Sequence, residues 1–131
     1  MDEKLTELLF FWKIKADNDL KTIVNELNSN EPVTDSICYR AQQAAEKYLK
    51  LFLVSNGKEP AKSHNIAFLK NACESINPAF LKLTNIEYLT DYAVDLRYPD
   101  NFYMPTLEEA KEAYLDALKV KKFVCQILHM V

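Results

Sequence analysis

A single glycine, Gly57, is all that 131 residues contain. Tight hairpin turns need backbone at positive φ, which glycine supplies without steric cost. A chain this poor in glycine has few such turns, which argues against a hairpin-rich β fold. Runs of Ala, Leu, Glu, Lys and Gln favour helix instead. An apolar fraction of 49% over this length suits one soluble domain, residues 1–131, with a core of its own. The expected fold class is all-α: an antiparallel up-and-down bundle of four to five helices.

Hydrophobic spacing places the helices. Residues 2–28 carry Leu5, Leu8, Trp12, Ala16, Leu20, Ile23 and Leu27 in steps of three or four, with Phe10 and Phe11 widening the stripe. Such a wide apolar face calls for partners on more than one flank, or for a second subunit. A second helix spans 35–56, capped by Thr34 or Asp35. Gly57 stands just past its end, where a left-handed residue is wanted. Ser63 is a cap for a third helix, 64–75, and Asn77-Pro78 opens a short turn. Thr84-Asn-Ile-Glu87 reads as a capping box for a fourth helix, and Thr106-Leu-Glu-Glu109 as another for a fifth, running to about 129. Short connections then put the end of the second helix, the start of the third, the end of the fourth and the start of the fifth at one end of the bundle.

The fourth helix would carry Ile86, Leu89, Ala93 and Leu96 inward and stop at Pro99, which disfavours helix at Tyr98. Arg97 falls on its last turn, next to an aromatic and polar loop. Arginine there either pairs with carboxylates and C-terminal carbonyls or clamps phosphate with its planar fork. His64 is either a packing histidine or an acid–base group near neutral pH. His129 stands two residues from the C-terminal residue and is set aside.

Other chemistries find little support. The net charge of −3 supplies no global basic field for nucleic acid, although Arg40, Lys47, Lys50, Lys58 and Lys62 offer a local basic face. Glu87, Asp91 and Asp95 read as a solvated acidic face rather than a metal site. Cys38, Cys73 and Cys125 have neither zinc nor C-x-x-C spacing and read as buried thiols. No Gly-rich phosphate loop or zinc-protease motif occurs. The expectation is no metal, no cofactor, no signal peptide, no membrane span and a cytoplasmic setting.

Four blocks, in order, resemble the HEPN family of small helical bundles. They are Trp12-Lys-Ile-Lys-Ala-Asp-Asn-Asp-Leu20, Tyr39-Arg-Ala-Gln-Gln-Ala-Ala-Glu-Lys-Tyr-Leu-Lys50, Lys62-Ser-His-Asn-Ile66 and Tyr92-Ala-Val-Asp-Leu-Arg-Tyr-Pro99. The resemblance implies a homodimer, paired near Arg97, and a nucleotidyltransferase partner in a toxin–antitoxin-like pair. Ribonuclease members use a metal-independent R-x4-6-H motif facing its copy across the dimer, and Arg97 matches that arginine. The histidine position holds Phe102 or Tyr103, and tyrosine, with a pKa near ~10, is a poor base at pH 7. Three functions are then open. The first is a homodimeric transferase partner contacting nucleotide or RNA phosphate through Arg97, Tyr98 and Tyr103. The second is an RNA endonuclease using Arg97 with Tyr103 or His64. The third is a non-catalytic interaction module.

Overall fold

The structure, a computed structural model, describes residues 2–60, 62–93 and 103–131. Arg97, Tyr98 and the rest of 94–102 lie outside the described residues. Among those described are four α-helices, α1 (Glu3–Leu27), α2 (Thr34–Ser55), α3 (Ile66–Ile76) and α4 (Leu107–Leu128), and two short 3-10 helices, Pro78–Lys82 and Glu87–Tyr92. The expected all-α bundle is what the chain forms.

In α1 the inward stripe passes through Leu9, Ala16, Leu20 and Ile23. Leu8 was expected on it, but Leu8 and Leu9 both keep steps of three or four, and packing selects Leu9. Phe10 and Phe11 do not widen the stripe either: they are 63% and 57% exposed. Helix α2 begins at Thr34 with no side-chain cap of its own, so neither Thr34 nor Asp35 plays that part. The Glu26 carboxylate, arriving from the end of α1, accepts from the Val33 N–H at 2.8 Å. This central helix buries Ile37, Ala41, Ala44, Ala45, Tyr48, Leu49 and Phe52. Its small alanines admit neighbouring helices closely.

Gly57 closes α2 at φ +75°. Its N–H bonds Val54 O at 3.0 Å and the next N–H, of Lys58, bonds Leu53 O at 3.0 Å. This pair of bonds is the Schellman ending. The same ending recurs on α4, where His129 takes the left-handed place at φ 56° and the Met130 N–H reaches Cys125 O. His129 is thus an ordered helix terminator rather than a frayed end. A methyl at Gly57 would meet nothing within 4 Å, so only backbone strain opposes it. Gly57→Ala is expected to cost about 1 kcal/mol and His129→Gly to gain up to about 1 kcal/mol, both read from denaturant midpoints.

The connection from α2 to α3 is not helical in its described residues, 56–60 and 62–65, and runs back along α2. It delivers His64 beside Gln42 and Glu46, whereas Cys73 lies against Leu49. Helix α3 therefore runs in the same direction as α2. It starts at Ile66 on Asn65, whose side-chain oxygen accepts from the Phe68 N–H at 3.0 Å. Ser63, expected as that cap, instead accepts from the Asn65 N–H at 3.1 Å. Asn77-Pro78 opens the first 3-10 helix as its sequence indicates. Phe80, on that turn, sits between Phe52 and Phe123 with ring centroids 4.6 and 4.9 Å away.

The fourth helix differs most from expectation. Asn85 adopts φ 64°, which breaks the Thr84 capping box. The Ile86 N–H points at the Glu87 carboxylate, and the Thr84 carbonyl accepts from Lys119 at 2.7 Å. From Glu87 the backbone coils as 3-10 helix ending at Tyr92, and Ala93 is already extended at ψ 165°. The α-helical spacing expected over Ile86–Ala93 is absent. Helix α4 then starts on a complete Thr106–Glu109 capping box.

The up-and-down course is kept, although the described residues of two of its passes, 56–60 with 62–65 and 84–93, are not α-helical. Tyr92 hydrogen-bonds Cys38, and the Ile66 N–H bonds the Thr90 hydroxyl at 2.9 Å. The starts of α3 and α4 and the end of the second 3-10 helix do gather at one end. It is the end where α2 begins, not where it finishes.

Candidate functional site

Two polar bolts fix α1 to α2. Asp19, 3% exposed, accepts from Arg40 at 2.9 Å and from Lys47 at 2.6 Å. Two residues earlier, Asp17 accepts from the Tyr48 hydroxyl and from Lys13 at 2.7 Å, and forms an ion pair with Lys121 of α4 at 3.3 Å. Burial alone would raise the Asp17 carboxyl, but the Lys13 and Tyr48 hydrogen bonds outweigh it and hold it below the ordinary range. Arg40 and Lys47, expected on a basic face, thus serve the helix pair.

A third cluster joins α2 to the start of α3. Glu46, 5% exposed, accepts from Lys50 at 2.8 Å, from Gln42 at 3.1 Å and from His64 Nδ1 at 2.9 Å. Gln42 also donates to the His64 carbonyl at 2.9 Å, so backbone and ring are both held. Burial pushes the Glu46 carboxyl up, yet hydrogen bonds from Lys50, His64 and Gln42 prevail and keep it below its ordinary value. The His64 side chain is 69% exposed. With Nδ1 engaged by a carboxylate, the ring is oriented and Nε2 is left to face outward.

Tyr103 is exposed and donates to Glu109 at 2.6 Å. That bond raises the Tyr103 hydroxyl above its ordinary value, which makes it a still weaker base. The same carboxylate accepts from the Thr106 N–H at 2.9 Å, so Tyr103 is braced on the capping box. His64 and Tyr103 therefore stand toward the same end of the bundle on separate carboxylate partners. Arg97 and Tyr98 lie outside the described residues; Ala93 and Tyr103, which flank that stretch in sequence, are described.

The profile of the HEPN domain matches residues 10–128. The chain belongs to the HEPN family. Comparisons with curated proteins and with solved structures gave no match. Three of the four sequence blocks noted above hold the residues of the two bolts and of the Glu46–His64 cluster, a clasp between α2 and the start of α3. The first holds Lys13, Asp17 and Asp19, the second Arg40, Gln42, Glu46, Lys47, Tyr48 and Lys50, and the third His64.

Among the described residues no group of three or more His, Cys, Asp or Glu is placed to hold a metal ion. Burial pushes the Cys38 and Cys73 thiols up to about 12, and all three cysteines are buried as expected. No described helix is long and apolar enough to cross a membrane. Sequence reasoning missed Glu46 and Gln42. A signal was present: Gln42, Glu46 and Lys50 repeat every four residues beside the Ala41–Ala45–Leu49 stripe, and polar groups on the edge of a core face need partners.

Proposed function

We propose that this HEPN chain is the homodimeric partner of a nucleotidyltransferase in a toxin–antitoxin-like pair. In this reading it contacts nucleotide or RNA phosphate through Arg97, with Tyr98 and Tyr103 beside it. The observation that carries the reading is the gathering of His64, Tyr103 and both flanks of the Arg97 stretch at one end of the bundle. Arginine offers a planar donor fork to phosphate, and an oriented imidazole adds a further hydrogen-bonding group. The endonuclease reading is weaker. No histidine follows Arg97 at the motif spacing, and Tyr103 is tied to a carboxylate that opposes its deprotonation.

The test uses full-length chain, Arg97→Ala and His64→Ala, with fluorescent single-stranded RNA and adenine nucleotide in EDTA. Binding that falls at least tenfold in Arg97→Ala, with the helical spectrum intact and the RNA uncut, supports the proposal. RNA cleavage abolished by Arg97→Ala establishes the endonuclease instead. Unchanged binding of RNA, nucleotide and the co-expressed transferase assigns Arg97 a structural role and defeats the proposal.

A further inference from the structure

The first half of α1 has two apolar faces, and the bundle uses only one. Leu9 and Ala16 point inward, whereas Leu8, Phe10, Phe11 and Ile14 are 45%, 63%, 57% and 41% exposed. This patch lies toward the end where α2 finishes, away from His64 and Tyr103. Phe10 also lines a cavity of about 540 Å³ together with Leu9, Phe52, Ile127, Leu128 and Met130. Patch and cavity mouth form one apolar surface. Two phenylalanines exposed to this degree, with a leucine and an isoleucine, present roughly 350 Å² of apolar side chain per chain. That is within the ~300–600 Å² range of the largest patch on a typical monomer, which is often functional.

The charges around the patch are ordered. On the exposed side, Glu3 and Glu7, with Lys4 between them, precede the apolar group, and Lys15 and Lys21 follow it, so the acidic excess before the patch is small and the basic excess after it larger. Among the described residues none of these five makes an ion pair within the chain. Lys15 instead lies 5.5 Å from the centre of the Phe11 ring. Parallel pairing of two such helices would set Glu on Glu and Lys on Lys. Antiparallel pairing about a two-fold axis near residues 11 and 12 sets Phe11 beside its copy, Glu7 near Lys15 of the other chain and Glu3 near Lys21. A self-complementary strip of this kind is what an isologous contact requires.

We infer that α1 carries a self-association surface, occupied by the same surface of a second copy in antiparallel register. The apolar centre alone, roughly 350 Å² per chain, is under half of the ~800 Å² per partner of a standard interface, so the contact needs the charged flanks and the cavity rim as well. This surface is distinct from the pairing near Arg97 and does not depend on it. In a chain that pairs at both places, assemblies grow in steps of two.

Sedimentation equilibrium of the full chain from 1 to 100 µM tests this (about two decades of concentration, enough to follow a micromolar association). Phe11→Asp is expected to halve the assembly mass at concentrations where the wild type associates. The step runs from four chains to two if the Arg97 end also pairs, and from two to one if it does not. The two interfaces are therefore read separately. Because Phe11 is exposed, the variant keeps its helical spectrum. Glu3→Lys/Glu7→Lys and Lys15→Glu/Lys21→Glu chains are each expected to associate at least tenfold more weakly alone, and to recover when mixed. An unchanged mass in Phe11→Asp, or charge-reversed chains that associate alone as the wild type does, overturns the inference.

Discussion

Glu46→Ala is expected to destabilise the protein by about 3–5 kcal/mol, far more than its place on a polar cluster suggests. The carboxylate is nearly inaccessible and answers three donors. Removing it leaves the Lys50 ammonium, 9% exposed at the side chain, with no counter-charge and little water. His64→Ala removes a mostly exposed partner of the same carboxylate and is expected to cost at most ~1 kcal/mol. Glu46→Leu combined with Lys50→Leu recovers much of the loss, because no buried charge is left alone. Chemical denaturation of wild type and these three variants checks the order. A Glu46→Ala cost below that of His64→Ala would show that the clasp does not hold α3.

Acid sensitivity arises from the same group. A carboxyl whose folded pKa lies below its unfolded value stabilises the fold fully at pH above the unfolded value. The contribution disappears as pH falls through the folded value. For Glu46 the loss begins near the ordinary 4.5 and for Asp17 near 3.8, and both continue below. Wild-type stability should fall between about pH 5 and pH 3, and Glu46→Ala should show a shallower slope there.

Phe80→Ala is the second large effect, at about 3–5 kcal/mol, with a melting temperature lower by roughly 12–20 °C. Phe80 is fully buried and stands on a turn of five residues. That turn has too few backbone bonds to hold itself, so the ring fixes it between α2 and α4. The cavity left behind is bounded by Phe52 and Phe123, which belong to longer helices and cannot collapse freely. Amide exchange should accelerate most from residue 78 to residue 92. A cost under ~1.5 kcal/mol would mean that the helices repack around the gap.

The elements read well from sequence are those fixed by local chemistry. Gly57, Asn77-Pro78 and the Thr106–Glu109 box each act within a few residues, and the structure has them where their chemistry places them. The Thr84–Glu87 box had the same letters and failed. Asn85 takes a left-handed backbone there, and Lys119, thirty-five residues away, binds the Thr84 carbonyl. The direction of α3 was hidden for a related reason: helix count alone does not reveal that 56–65 forms a pass of the bundle. Of the candidate site, the sequence offered His64 and Tyr103 by residue type, and the structure sets both toward one end of the bundle. Glu46 was not, because a glutamate between Ala45 and Lys47 looks like any surface charge until the third helix returns over it.

The shared direction of α2, α3 and α4 has an electrostatic consequence. Each helix carries a macrodipole worth about half a positive charge at its first turn and half a negative charge at its last. Three first turns and one last turn, that of α1, gather toward the His64 and Tyr103 end, a surplus of about one positive charge from the peptide groups alone. Asp35 on α2, and Glu108 and Glu109 on α4, answer part of it in their own first turns. Helix α3 has no acidic residue there. There the negative charge comes from α2 instead, as the Glu46 carboxylate 2.9 Å from His64 Nδ1, so a side chain of one helix answers the backbone field at the start of another.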